Sequence, residues 1–303
     1  MRREAYRGDE VMEELVELHG ASKRFDGREV LKGIDLSIPR GRVVGLLGKN
    51  GAGKTTLIKC LLGLFKLDAG TVSLFGEDVR NLSGATKERI GYVPQEIDLY
   101  PWMRVRQTIA YIAAFYSNWD DKLAEELVSK WELNPEDKVS SLSIGQVQKL
   151  ALILALGHQP ELLILDEPAA SLDPAARRTF LSAVVEIASD ANRTVLLSTH
   201  LTSDLERVAS DVVLLKSGAV DYVGTMDELK DSIKSLRLTT ERLLPKTLDV
   251  PGVLNCEAGE RHALLTVRGV TPQLIHTLEA DYDATVEVCD LNLEDIFVEV
   301  HRA

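Results

Sequence analysis

The chain has 303 residues, 45% of them hydrophobic and 27% charged, with 35 Lys+Arg against 47 Asp+Glu for a net charge of -12. This composition excludes a disordered, collagen-like or disulfide-scaffold chain, and the length calls for two domains or one large domain with an appendage. The acidic balance and an aromatic content of only 5% count against a phosphate-backbone grip or a base-stacking platform, so no direct nucleic-acid contact is expected.

The first residues, Met1-Arg2-Arg3-Glu4, are charged but lead into no apolar run, which argues against a secretory signal. Residues 1–12 are read as an extension without assigned structure. Ile34, Leu36 and Ile38 alternate as on a half-buried strand, and Pro39-Arg40-Gly41 reads as a turn. Val43 to Leu47 is a continuous apolar run, as in a strand buried on both faces. A glycine-rich loop spans Gly48 to Gly53, and Leu57, Leu61 and Leu64 are then expected on one helix face. Val72 and Leu74 suggest a further strand. From about Leu99 to Gly157 strand patterns are absent, and Gln107 to Tyr116 and Leu123 to Trp131 have helical spacing.

Strand patterns return at Leu162 to Leu165, Val195 to Ser198 and Val212 to Leu215, with helical spacing between them at Phe180, Leu181, Val184 and Ile187. This alternation implies a largely parallel α/β core. Asp173-Pro174 is a helix start, with a capping carboxylate and proline in the first position. From about residue 236 short strands (Leu236 to Thr239, His262 to Val267, Ala284 to Val288) mix with helices (Pro272 to Leu278, Leu293 to Val300), a small α+β appendage. Cys60, Cys256 and Cys289 are odd in number and widely spaced, which fits a reducing cytoplasm and no zinc site or disulfide. No run approaches the roughly 18–20 apolar residues of a spanning helix, so action at a membrane would need a partner.

Two segments carry chemistry. Gly48-Lys49-Asn50-Gly51-Ala52-Gly53-Lys54-Thr55 fits the phosphate-loop pattern GxxxxGK[ST], with a buried strand before it and a helix after it. Glycines let backbone N–H groups approach phosphate, and the helix N-terminus adds partial positive charge. Lys54 can reach the outer phosphates, and the Thr55 hydroxyl can bind Mg²⁺. Leu162 to Leu165 then delivers Asp166 and Glu167 at the carboxyl end of a strand. Asp166 is expected to hold Mg²⁺ and Glu167 to orient or deprotonate an attacking water. An ordinary glycine turn and a solvated acidic turn are the structural alternatives.

With Phe25, Gln95, Leu142-Ser143-Ile144-Gly145-Gln146 and His200 added, the chain from about Leu15 to Gly224 resembles the ATP-binding cassette (ABC) ATPases. The resemblance implies an α/β fold. Its P-loop NTPase core (13–235) would have a mixed, mainly parallel sheet and a helical subdomain at about 97–157, followed by a small C-terminal α+β domain (236–303). It implies ATP and Mg²⁺ as ligands, with Asn50, Gly51, Ala52, Gly53, Lys54, Thr55 and Thr56 around the nucleotide and Phe25 against adenine. It places Gln95 with Thr55 and Asp166 at the metal, makes Glu167, His200, Lys54 and Gln95 catalytic, and puts Asp173 in the loop crossing between paired subunits. Ser143, Gly145 and Gln146 would close over a partner subunit's nucleotide. Ile144 stands where the family commonly has glycine, a departure that bears on the efficiency of this half-site. Ser143 to Gln146 also has the form of a helix capping box, which by itself is a plain structural device.

Hydrolysis would then part a homodimer or heterodimer formed around two ATP molecules. The stretch Leu99-Tyr100-Pro101-Trp102-Met103 suits contact with a membrane permease. Leu291-Asn292-Leu293-Glu294-Asp295-Ile296-Phe297 resembles the ending of ATPases from ABC-2 exporters. The expected place is therefore the cytoplasmic face of the membrane, peripheral through a permease. A soluble ABC ATPase acting on nucleic acid or the ribosome is the competing class. It is disfavoured by the single phosphate loop, the lack of heptads and the acidic balance.

Overall fold

The structure is a computed structural model that describes residues 14–189, 193–245 and 247–302. The extension expected over 1–12 lies outside the described residues. The chain separates into a unit ending at Val223 and a unit beginning at Gly224.

In the first unit, β1 (Glu14–Phe25) and β2 (Arg28–Pro39) pair antiparallel. Ile34, Leu36 and Ile38 alternate inward on β2 as expected. A second sheet begins with β3 (Val43–Leu47), buried along Val44–Leu47. After it comes α1 (Lys54–Leu61). The helix ends earlier than the Leu57, Leu61, Leu64 spacing suggests. Gly63, at φ +68°, turns the chain, with Gly63 N–H donating to Cys60 O and Leu64 N–H to Lys59 O. That bond pair is a left-handed glycine cap. Leu64 therefore lies beyond the helix and is exposed rather than on its buried face. β4 (Ala69–Leu74) returns to pair antiparallel with β1, and the short β5 (Glu77–Asp78) pairs with β4.

A single turn, α2 (Gly84–Lys87), precedes β6 (Ile90–Val93). The next stretch carries no strand: α3 (Val105–Ala113), α4 (Asp121–Lys130) and α5 (Ile144–Leu156) occupy it. The Asp120 carboxylate caps α4 at Leu123 N–H, and a reciprocal Ser143–Gln146 capping box starts α5. Residues 150–156 of α5 are buried throughout. The sheet then completes with β7 (Leu162–Asp166), α6 (Pro174–Ala188), β8 (Thr194–Thr199), α7 (Thr202–Val208), β9 (Asp211–Lys216) and β10 (Ala219–Thr225). Its order is β10-β9-β3-β8-β7-β6, and the pairings of β9, β3, β8, β7 and β6 are all parallel. The expected mixed, mainly parallel α/β core is thus present. Gly45 on β3 is needed for packing: a Cβ there would stand 2.6 Å from a Leu205 methyl of α7.

The unit from Gly224 holds α8 (Met226–Ser232) and an antiparallel sheet. Its strands are β11 (Ile233–Thr240), β12 (Val253–Ala258), β13 (His262–Arg268) and β14 (Ala284–Asp290), in the order β12-β13-β11-β14. Alternate residues Leu236, Leu238, Ala263, Leu265 and Val267 pack with Leu278 of α9 (Pro272–Tyr282). In α10 (Leu293–Arg302), Leu293, Ile296, Phe297 and Val300 are buried at helical spacing.

One histidine is buried where α5 runs into β7. His158 stacks on Tyr116 with ring centroids 4.0 Å apart. Its Nε2–H donates to Ile90 O at 3.0 Å, while Nδ1 is buried without a partner. Burial pushes its pKa below the ordinary 6.5, because a second N–H would have nowhere to bond. A folded pKa below the unfolded one means that stability is present above pH 6.5 and is lost as the pH falls towards the folded value. Thermal unfolding between pH 5 and 8 should show this loss, and His158→Gln should flatten it relative to the parent; equal slopes for the two would contradict the assignment.

Candidate active site

Four neighbouring parallel strands end along one edge of the sheet. Register sets Leu47 of β3 beside Thr199 of β8, Asp166 of β7 beside Ser198, and Val93 of β6 beside Leu165. The residues that follow these strand ends are Gly48, His200, Glu167 and, two positions on, Gln95. They start from a common line, the usual place for ligands in such sheets.

The loop after β3 turns through two glycines in the left-handed region, Gly51 at φ +79° and Gly53 at φ +108°. Asn50 is exposed at its rim, Ala52 is buried, and Thr56 is half-buried in the first turn of α1. A Cβ on Gly48 would lie 2.7 Å from Leu215 O, so the strand exit also needs glycine. Lys54 turns back under the loop and is only 6% exposed. Its ammonium donates to Gly48 O at 2.7 Å and pairs with Glu167 Oε1 at 3.0 Å. Glu167 is 5% exposed, and its Oε2 meets His200 Nδ1 at 2.8 Å. A buried charge without a partner is costly, and here each buried charge has one. Three of the four expected catalytic residues, Lys54, Glu167 and His200, are thus one connected group. Glu167 itself sits at φ +48°, uncommon for a side chain other than glycine.

Asp166 is fully buried. Its Oδ1 accepts from the Ser198 hydroxyl at 2.6 Å, and its Oδ2 has no hydrogen-bond partner. Burial raises its pKa, against the pull of the Ser198 and Thr55 hydroxyls. Burial also pushes the Tyr92 hydroxyl up to about 12, helped by the Asp166 charge. The Thr55 hydroxyl donates to Gln95 Oε1 at 3.4 Å. Thr55, Gln95 and Asp166, the expected metal residues, therefore gather at one end of the group. Among the described residues no cluster of three or more His, Cys, Asp or Glu is placed to hold a metal. One hydroxyl, one amide and one orphaned carboxylate oxygen fit Mg²⁺, which keeps water and takes phosphate oxygens as its other ligands.

Phe25 lies at the end of β1, 39% exposed, with Phe65 edge-on at 5.5 Å and the Lys23 ammonium 5.0 Å from its ring centroid. Its exposed ring remains free to stack. Ser143, Gly145 and Gln146 stand at the start of α5, where Ser143 Oγ accepts from Gln146 N–H and Gln146 Oε1 from Ser143 N–H. Ile144 is the first helical residue and is 60% exposed. Asp173 caps α6 through Ala175 and Ala176 N–H. Among the described residues no hydrogen bond joins Ser143, Gly145, Gln146 or Asp173 to the Lys54 group, and Ser143 and Asp173 serve as helix caps. Sequence reasoning passed over Ser198, the hydroxyl between the two carboxylate residues, and Phe65, the ring supporting Phe25. A polar residue closing the aliphatic run Val195–Leu197 was the available signal for Ser198.

A family model described as "ABC transporter" matches residues 31–170. A second, described as "AAA domain, putative AbiEii toxin, Type IV TA system", matches 138–203. The chain is 34% identical over 209 residues to the Nod factor export ATP-binding protein I of Burkholderia lata, covering 67% of this chain and 68% of that one. It is 35% identical over 219 residues to the probable sulfate/thiosulfate import ATP-binding protein CysA of Chlorella vulgaris, covering 71% and 92%. A solved structure titled as the ATP binding subunit of an ABC transporter superposes with a TM-score of 0.64 at 28% identity, covering 72% of this chain and 92% of that chain.

The Lys54–Glu167 pair is open to direct measurement. A double-mutant cycle of Lys54→Met and Glu167→Gln on the nucleotide-free protein, followed by denaturant unfolding, should give a coupling of about 1–3 kcal/mol. Additive single effects would mean that the two charges do not meet in solution.

Proposed function

This chain belongs to the ABC transporter ATP-binding proteins, ATPases that drive transport, and on that premise we propose that it powers an exporter of the ABC-2 kind. In this reading two ATPase subunits, identical or not, close around two ATP molecules and drive a separate integral membrane permease. The protein then sits at the cytoplasmic face of the membrane through that permease. Among the described residues no helix is long and apolar enough to cross a membrane.

The observation that carries the reading is a row of exposed rings just beyond Gln95. Tyr100 lies 5.1 Å from Trp102 and 5.7 Å from Tyr111, and Tyr111 lies 5.3 Å from Phe115. Trp102 and Phe115 are each 66% exposed. Contiguous exposed aromatic surface suits a protein contact. Its place, a few residues after the amide that meets Thr55, suits transmission from site to partner. The exporter assignment is supported by the α+β unit with its Leu291–Phe297 ending and by the relative named for Nod factor export. A relative named for sulfate/thiosulfate import matches over a similar length, so the direction of transport rests on that C-terminal unit.

The resting network suggests how hydrolysis is held back. Lys54 is occupied by Gly48 O and Glu167, and Glu167 is shared with His200. Outer phosphates draw Lys54 and His200 to themselves. Glu167 then loses its cationic partner and accepts a hydrogen bond from the attacking water. Thr55, Gln95 and Asp166 would hold Mg²⁺, which would supply positive charge against the phosphates. In a partner subunit, the uncapped proton of Ser143 and the N–H groups at the start of α5 are available to the same phosphates.

Glu167→Gln should retain ATP binding and lose turnover by at least about 100-fold; parental turnover in a phosphate-release assay would remove Glu167 from the base role. That variant, with ATP, should co-purify from native membranes in mild detergent with a polytopic membrane protein in stoichiometric yield. Adding Trp102→Glu should cut the recovery by about tenfold or more. Recovery of ribosomes or nucleic acid in its place would favour the soluble class.

A further inference from the structure

We propose that Ser198 is a positioning residue that locks the two carboxylates of the site to each other. Its hydroxyl holds Asp166 in the orientation that presents the free oxygen to Mg²⁺, and it holds the Glu167 backbone in the conformation that aims its side chain at the reacting end. The inference rests on the roles proposed above for Asp166 and Glu167.

Ser198 is fully buried near the end of β8, directly opposite Asp166 in the parallel register. Its Oγ–H donates to Asp166 Oδ1 at 2.6 Å. The same oxygen accepts from Glu167 N–H at 2.9 Å, and the Ser198 carbonyl accepts from that N–H at 3.1 Å. One hydroxyl has a single proton and two lone pairs, and only a group of that kind can donate to one residue and accept from the next. A methyl can do neither.

Each bond has a consequence at the site. Asp166 has two oxygens and one is already without a partner. The bond to Oδ1 removes the carboxylate's freedom to rotate and leaves Oδ2 as the oxygen available to a cation. A partner behind a metal-binding carboxylate fixes its geometry, and losing such partners typically costs about 10–100-fold in metal affinity or activity. Glu167 stands at φ +48°, a conformation that an L residue keeps only when its surroundings hold it. The bonds from its N–H to Ser198 are what hold it here. From that conformation its carboxylate reaches both Lys54 and His200. A single hydroxyl therefore ties metal placement to base placement.

The test uses the full chain with Ser198 replaced by Ala, and by the isosteric pair Thr and Val. Equilibrium binding of a fluorescent ATP analogue is read in EDTA and across a Mg²⁺ titration, alongside ATP turnover. Ser198→Ala should bind in EDTA like the parent, yet need about tenfold more Mg²⁺ for the half-maximal Mg²⁺ effect on binding. Its kcat should fall by a comparable factor. Ser198→Thr keeps a hydroxyl and should stay near the parent in both readouts, whereas Ser198→Val should follow Ala. The Thr/Val comparison answers the question even if the Ala variant does not fold. A parental Mg²⁺ response in Ser198→Val, or an equal loss of binding with and without Mg²⁺, would overturn the proposal in favour of plain packing. Asp166→Asn separates the premise from the inference. If it keeps the parental Mg²⁺ response, the metal role of Asp166 fails and the Ser198 role with it. If it loses the response while Ser198→Val does not, the role of Ser198 alone fails.

Discussion

Everything at the site depends on the parallel register of three adjacent strands, β3, β8 and β7. Backbone hydrogen bonds fix Leu47 against Thr199 and Asp166 against Ser198. A slip of one residue would send each of these side chains to the opposite face of the sheet. The strands are aliphatic on both faces, so burial holds the register: Leu46, Leu162, Leu163, Ile164, Val195 and Leu196 are all at most 1% exposed. The hydrophobic core thus sets the geometry of a polar site built at the ends of its strands.

That polar site is a closed electrostatic arrangement. Lys54 and Glu167 are both nearly buried and would be costly to leave alone. They meet each other, and Glu167 also meets His200. Asp166 is the exception, with one oxygen unsatisfied. A network complete among these groups except for one carboxylate oxygen, beside a loop with two glycines in the left-handed region, leaves that oxygen open to a cation. The arrangement favours a ligand bearing both a cation and phosphates over either alone.

Around this centre, polar detail is subordinate to helix ends. Ser143, Asp120, Asp173 and Thr225 each begin a helix by accepting a backbone N–H. Two of these caps, Ser143 and Asp173, coincide with positions that the ABC resemblance assigns to the subunit interface. Capping and contact are compatible, because the cap uses the acceptor side of the serine oxygen and leaves its proton free. Ile144, the first residue of the helix that Ser143 caps, adds an exposed aliphatic side chain there.

Local sequence determined much of this protein. The phosphate-loop spacing, the aliphatic strands Val43–Leu47 and Leu162–Leu165, the Asp166–Glu167 pair and the Asp173-Pro174 helix start were all legible, because each depends on chemistry within a few residues. The end of α1 was misjudged because Gly63 in a left-handed turn overrides an apolar spacing that continues to Leu64. Tertiary structure decided what spacing cannot carry. Lys54 meets a carboxylate 113 positions away and Ser198 one 32 positions away, since strands distant in sequence are neighbours in the sheet. The partner of Phe25, the isolation of His158 Nδ1 and the row of exposed rings from Tyr100 to Phe115 were settled the same way. Burial and contact belong to the packed chain, and only residue type and order belong to the sequence.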